Sequence, residues 1–422
     1  MDIKKNVNIS KGIKVNTDPK RIDEILERGT VDVIVKEDIK KDLLSGRRLN
    51  IYYGIDPTGK EMHLGHASTQ RKIRDFQELG HNITLLVGDY TVRVGDHSDQ
   101  LKQREEITDS QIEENMKTFK KQYGKTVDIS KVNIRYNSEW LKKLKFIDVI
   151  NLAKIFTVQQ MIEREAFAKR LEAKNPIGFD ELLYPLMQGY DALSLKTDIQ
   201  IEGTDQLFNM IAGRKIMEHF GMKPQGIITM PMLIGPDGRE MHKSLGNYIA
   251  VTEKPNQMYG KIMSMKDEVM IDYYTLLTRI PMDEINELKA SLKKGRANPM
   301  KAKKRLAFEI TKFFNGEKQA VKAEKHFEKT VQKGEMPDEI TMLDRKIFKG
   351  AKIPLLEMLK TILKKRKGDK GLPASTGEVK RLVKQGGVKV DGKKVTDLNQ
   401  EIDIKKSPVI TIGKRYHIKI GN

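Results

Sequence analysis

The chain of 422 residues contains no cysteine. Disulfide staples and thiolate-held zinc are therefore excluded, and the composition suits a reducing compartment such as the cytoplasm. Long apolar runs are also missing. The best candidate for a membrane span, residues 227–235, is too short and is interrupted by Pro231. The opening residues, MDIKKNVNIS, carry no apolar stretch of the signal-peptide kind. No internal repeat is visible. What remains is a chain long enough for two to four domains, 38% hydrophobic and 32% charged. Acidic groups are in deficit, leaving a formal charge of +20. The excess is uneven: residues 351–422 hold 18 Lys or Arg against 7 Asp or Glu. A local basic excess points to a phosphate-binding face more than to general solubility.

The N-terminal part reads as an open α/β sheet. Residues 49–55 form a short β-rich run with a glycine near its end, followed by the turn chemistry of Asp56-Pro-Thr-Gly. A helix is expected from about His66 to Glu78, stopping at Gly80-His-Asn, and residues 83–88 read as a buried parallel strand. Strand, crossover helix and strand at this spacing make a βαβ unit. A second unit runs through Ile199-Gln-Ile-Glu-Gly, a helix near Phe208–Phe220, and the apolar run from Ile227. Ligands of such sheets bind beyond the carboxyl ends of the strands. The stretch from about 107 to 195 reads as a helical insertion with apolar faces. Helical signals dominate again from Met258 to about Asp344. Residues 364–370 form a charged linker, and the tail holds one helix, Thr376–Lys384, among short strands.

Two motifs face a nucleotide. His63-Leu-Gly-His66 lies where the first strand's loop enters a helix. Histidines three apart share a helical face, Gly65 lets the backbone approach a ligand, and a helix start offers unpaired amides to phosphate. Imidazoles there can donate to charge that builds on phosphate in a transition state. A pair of surface histidines is the plain alternative. Met241-His-Lys243-Ser244 follows the turn Gly235-Pro-Asp-Gly238 and offers a lysine on a mobile loop. Alone it reads as an ordinary polar loop.

Together these motifs resemble the class I aminoacyl-tRNA synthetase signatures, most strongly those of the tyrosyl-tRNA synthetase family. Tyr52-Tyr-Gly-Ile-Asp56-Pro-Thr, Val94-Gly-Asp96, Tyr184-Pro-Leu-Met-Gln188-Gly-Tyr-Asp191 and Glu202-Gly-Thr-Asp205-Gln206 stand in that family's order around HLGH. The resemblance covers nearly the whole chain; the set is specific although no single member is. It implies an α/β, Rossmann-like class I synthetase catalytic domain over 1–254 with a helical insertion at about 107–195. An α-helical anticodon-binding domain over 255–350 and a small α+β S4-like RNA-binding domain over 351–422 then follow. It implies tyrosine activation with ATP and Mg²⁺, no tightly bound protein metal, transfer to tRNA(Tyr), a homodimer and a cytoplasmic location away from membranes.

The resemblance also implies roles. His63, His66, Lys243 and Ser244 serve catalysis. Tyr52 and Asp191 meet the substrate phenol, while Tyr184, Gln188 and Asp96 form the ammonium set with Gln206 beside them. Gly54, Asp56, Gly65, Thr69, Gly203 and Asp205 approach ATP and the adenylate. In the tail, Lys380, Arg381 and Lys384 fall within about one helical turn and form a basic patch for structured RNA, which is read largely through shape and backbone. Ser375 or Thr376 is placed to cap that helix.

Two other readings compete: a catalytically weak paralogue that binds structured RNA, and a tryptophan-specific ligase. The lysine loop favours the former, because Glu240 stands where the family has its first lysine and His242 where it has its first serine. A carboxylate beside a triphosphate is repulsive unless it turns away or binds Mg²⁺, and the neighbouring Arg239 offers compensating charge. Replacing Glu240→Lys is expected to raise tyrosine-dependent ATP–pyrophosphate exchange; a flat or lower rate would show that this loop is aligned wrongly.

Overall fold

The computed structural model describes residues 14–96, 107–241, 245–333, 340–365, 375–413 and 416–421. The chain forms two compact units, 1–317 and 318–422. Among the described residues no helix is long and apolar enough to cross a membrane.

The first unit is built on a six-stranded sheet. Its strands are β1 (Val33–Ile34), β2 (Asn50–Ile55), β3 (Asn82–Val87), β4 (Val132–Tyr136), β5 (Ile199–Gly203) and β6 (Gly226–Met230), in the order β1-β6-β5-β2-β3-β4. The short edge strand β1 runs antiparallel to β6, and the other neighbours are parallel. Every residue of β6 is buried, which suits its mostly apolar sequence; the first four residues of β5 are buried as well, although Gln200 and Glu202 are polar. The helices Leu64–Glu78 and Leu207–His219 make the two crossovers that the sequence anticipates.

One feature of the register shapes the molecule. β2 pairs with β3 along its whole length, from Asn50↔Asn82 to Ile55↔Val87. With β5 it pairs only at Ile51 and Tyr52. Past Tyr52 the two central strands part, at their carboxyl ends, and a cleft opens there.

One expectation needs correction. The stretch 107–195 is not wholly helical, since β4 lies within it and extends the sheet beside β3. Its five residues, VNIRY, are mostly only partly buried, so they carry neither an apolar run nor a clear alternation. The compact first unit continues past residue 254 and takes in the helices Pro255–Met263, Met270–Leu277, Met282–Lys293 and Pro299–Asn315. The reason is partly polar. Arg28 donates to the carbonyl oxygens of Thr275 (3.0 Å) and Thr278 (2.8 Å), tying this region to the N-terminal helix Pro19–Glu27.

In the second unit, β7 (Thr341–Asp344), β9 (Val388–Val390), β10 (Lys393–Lys394), β12 (Val409–Ile412) and β13 (Tyr416–Gly421) form one sheet. β8 (Lys352–Pro354) and β11 (Glu401–Asp403) pair separately. Leu355, Met358 and Ile362 from the helix Leu355–Lys365 share a buried core with Val379, Val383, Ile410 and Ile420. The helix Thr376–Lys384 has the bounds read from sequence, and Ser375 is its cap, accepting from the Glu378 amide at 3.2 Å. Asp391 and Gly392 both have positive φ, 48° and 81°, which gives the β9–β10 hairpin its tight turn. The expected linker lies mostly outside the described residues, from 366 onward.

His81 locks the C-terminal end of the helix Leu64–Glu78 to the start of β2. It is 1% exposed, and its Nδ1 accepts the Leu49 amide at 3.3 Å. Burial, aided by Arg48, lowers its pKa to about 4. The unfolded chain therefore binds a proton near pH 6.5 that the folded chain refuses until about 4. The neutral ring's stabilisation is fully present above pH 6.5 and is lost as pH falls toward 4. Chemical denaturation between these limits should show a slope of up to about 1.4 kcal/mol per pH unit from this group, absent in His81→Gln.

Candidate active site

The cleft between β2 and β5 leads into a cavity of about 260 Å³. Tyr52, Gly54, Asp56, His63, Gly65, His66, Thr69, Asp96, Tyr184, Gln188, Asp191, Gly203, Asp205 and Gln206 all line it. Residues drawn from strand ends, helix starts and one helix face thus meet at a single place. Lys243 and Ser244 lie outside the described residues, as does His242.

Where β2 leaves β5, the Gly54 amide donates to Glu202 Oε1 at 2.7 Å. A side chain of β5 thereby replaces the lost strand bond. Glu202 is 5% exposed, and burial raises its pKa well above the usual carboxylate range. Deeper in, the Tyr52 hydroxyl is buried and has no hydrogen-bond partner among the described residues. The Gln200 amide lies near it but outside hydrogen-bond geometry. Burial pushes the Tyr52 phenol well above its ordinary range, reinforced by the charges of Asp191 and Glu202. It therefore remains a neutral donor and acceptor.

Pro185 starts the helix Tyr184–Leu195, which presents Tyr184, Gln188 and Asp191 to the cavity as their spacing requires. Asp191 accepts from Trp140 Nε1 (2.6 Å) and Asn137 Nδ2 (3.2 Å). Burial raises its pKa well above normal, although both donors act in the opposite direction. Tyr184 donates to Asp56 Oδ2 at 2.9 Å, and Thr91 donates to Asp56 Oδ1 at 2.7 Å. Asp96 accepts from Gln206 Nε2 at 2.5 Å and is ion-paired with Arg164. The Gln188 side chain has no hydrogen-bond partner among the described residues.

The two histidines do structural work as well. His63 caps the helix Leu64–Glu78: its Nδ1 accepts the Gly65 amide at 3.2 Å, while His66 Nδ1 accepts the His63 amide at 3.2 Å. With both Nδ1 atoms accepting, the neutral rings carry their proton on Nε2. Each ring is then a donor on its other side. The reason for Gly65 also becomes local: a Cβ there would stand 2.9 Å from His63 Nδ1.

Several site residues had escaped the sequence reading. Gly88 follows β3 and cannot carry a side chain, because a Cβ would lie 1.9 Å from Asp56 Oδ1. Thr91, Asn137, Trp140 and Arg164 hold polar groups in place, and none of them stood in a motif. Glu202 stood in one, but without a role. Arg239, expected to offset Glu240, is instead taken by Asp237, which accepts from its Nε at 2.8 Å and Nη2 at 2.6 Å. In the second unit, Lys380, Arg381 and Lys384 are exposed while Val379 and Val383 of the same helix are buried.

Comparison with known proteins agrees with this architecture. The family described as tRNA synthetases class I (W and Y) matches residues 44–332, and the S4 domain matches residues 370–405. A tyrosine–tRNA ligase of Thermotoga maritima is 42% identical over 399 residues, covering 94% of this chain and 96% of that protein. One from Dehalococcoides mccartyi strain CBDB1 is 42% identical over 407 residues, covering 96% of this chain and all of that protein. Among solved structures, the tyrosyl-tRNA synthetase of Archaeoglobus fulgidus complexed with L-tyrosine aligns with a TM-score of 0.59 at 22% identity. It covers 73% of this chain and 100% of that one, a likeness of fold.

Proposed function

The chain belongs to the class I tRNA synthetases of the W and Y type, and we propose on that premise that its cavity performs tyrosine–tRNA ligation. Tyrosine is activated with ATP to tyrosyl-adenylate and pyrophosphate, and the tyrosyl group then passes to the 3′ end of tRNA(Tyr). Neither step needs a covalent enzyme intermediate, so the chain's work is positioning and charge stabilisation.

The observation that carries the reading is the buried hydroxyl of Tyr52, without a hydrogen-bond partner among the described residues, in the same cavity as Asp191. A buried hydroxyl without a partner is costly, and a substrate phenol held between Tyr52 and Asp191 satisfies both. Phenylalanine leaves them unpaired, a mode of discrimination for which tyrosine-specific ligases are themselves the standard example. An indole has no oxygen to offer there, which counts against a tryptophan enzyme. A pure RNA binder has no use for such a pocket.

The substrate ammonium is assigned to Tyr184, Gln188 and Asp96, with Gln206 orienting Asp96. The adenylate is assigned to Gly54, Asp56, Gly65, Thr69, Gly203 and Asp205. The Nε2–H groups of His63 and His66 donate to the α-phosphate oxygens as the tyrosine carboxylate attacks. Lys243 and Ser244 complete the charge stabilisation from their loop. Mg²⁺ is part of the substrate, carried by the triphosphate. By role, residues 1–254 catalyse, 255–350 meet the anticodon, and 351–422 grip structured RNA through Lys380, Arg381 and Lys384. The site of action is the cytoplasm.

Two copies are proposed to pair through the apolar side chains exposed between 146 and 179. Phe146 is 81% exposed and Phe179 79%. Unpartnered rings of this size mark an interaction surface. Sedimentation should give twice the chain mass; a strictly monomeric active protein refutes the pairing. Tyr52→Phe should lower kcat/KM for tyrosine about 10- to 100-fold through the lost hydrogen bond, with KM for ATP little changed. An unchanged preference for tyrosine over phenylalanine would remove Tyr52 from recognition.

A further inference from the structure

We propose that the first unit holds a second binding site, an anion pocket centred on Arg71 that takes the phosphate group of a small phosphorylated molecule. The cavity is about 400 Å³ and shares no lining residue with the active-site cavity. Its walls come from the helix Pro19–Glu27, from Ser68 to Asp75 of the helix Leu64–Glu78, and from residues 275–279. Six Lys or Arg line it against three Asp or Glu.

Most of these cations already have partners. Arg28 is held by carbonyl oxygens, and Lys72 donates to the carbonyls of Ile25 (2.5 Å) and Arg28 (2.7 Å). Arg279 is held by Asp75 and by Glu78 at 3.1 Å. Arg71 differs. It is 5% exposed, and among the described residues it has no hydrogen-bond or ion-pair partner. Its guanidinium stacks over the Phe313 ring at 4.6 Å, which fixes its plane and satisfies none of its N–H groups.

A buried cation whose N–H groups lack acceptors is unfavourable, and stacking does not replace the lost hydration. Burial and the neighbouring Arg279 lower the Arg71 pKa to about 9 against the opposing pull of the Asp75 carboxylate, so it still carries its charge at neutral pH. A fixed planar fork is suited to paired oxygens of one anion. Cations outnumber carboxylates in the lining by three, and Glu78 offsets part of that excess through Arg21 and Arg279; what remains favours an anionic group such as phosphate. The site stands apart from the tyrosine reading and does not depend on it.

The test is calorimetric titration of inorganic phosphate into the full chain, at ionic strength held constant with sodium chloride. The wild type should bind one phosphate saturably. Arg71→Met should weaken binding about tenfold or more, the scale of a charged hydrogen-bonded contact. Arg71→Lys should fall between, keeping the charge and losing the fork. Lys243→Ala, which removes the lysine assigned to phosphate at the other site, should leave binding unchanged. Should Arg71→Met fail to fold, as judged by loss of tyrosine-dependent pyrophosphate exchange, Arg279→Gln replaces it with the same expectation. Absence of saturable binding in the wild type overturns the proposal, as does unchanged affinity in the folded variant, loss of binding in Lys243→Ala, or equal competition by acetate.

Discussion

The molecule depends on a bond between strands that have stopped being a ladder. β2 and β5 are paired at Tyr52↔Gln200 and apart two residues later, where Glu202 reaches across to the Gly54 amide. Without that carboxylate, a buried backbone donor would be left unsatisfied as the strands separate. With it, the sheet can split without unravelling. The split admits the cavity to the middle of the sheet, and the helix Leu64–Glu78 points its N-terminus at the same opening. Side chains far apart in sequence converge there because both central strands end there.

The cavity is expensive to maintain empty. Asp191 and Glu202 are buried deeply enough for their carboxyls to resist ionisation, and the Tyr52 hydroxyl lacks a partner among the described residues. Trp140, Asn137, Thr91 and Arg164 offset part of this by holding individual oxygens. A ligand that brings one phenol, one ammonium and a phosphate chain has groups to meet what remains. Stability given up at such a place is expected of a binding site.

Much of this was legible in the sequence. The β-rich run at 49–55 and the apolar runs at 83–88 and from 227 announced strands, and the motif residues named from their order line one cavity, apart from Lys243 and Ser244, which lie outside the described residues. The tail helix was bounded correctly because a capping serine and a glycine pair punctuate it. β4 was missed since VNIRY is partly exposed and carries no clean period. Arg164 and Asn137 were missed for a different reason. Each acts on a residue more than 50 positions away, Asp96 at 68 and Asp191 at 54, and no local pattern encodes such a pairing. Gly88 was invisible because what forbids its side chain is Asp56, on another strand's loop. Arg71 reads in sequence as one more cation on a polar helix; only its burial sets it apart.

The capping role of His63 and His66 has an evolutionary corollary. One nitrogen of each ring is committed to the backbone, so only the opposite nitrogen is at the disposal of chemistry. A replacement must supply an acceptor toward the chain and a donor away from it, from one rigid planar group. Among the other side chains, only the amides of asparagine and glutamine offer both. Drift at these two positions is thus confined by two unrelated demands at once, and a substitution there that silences the reaction will also loosen the first turn of the helix.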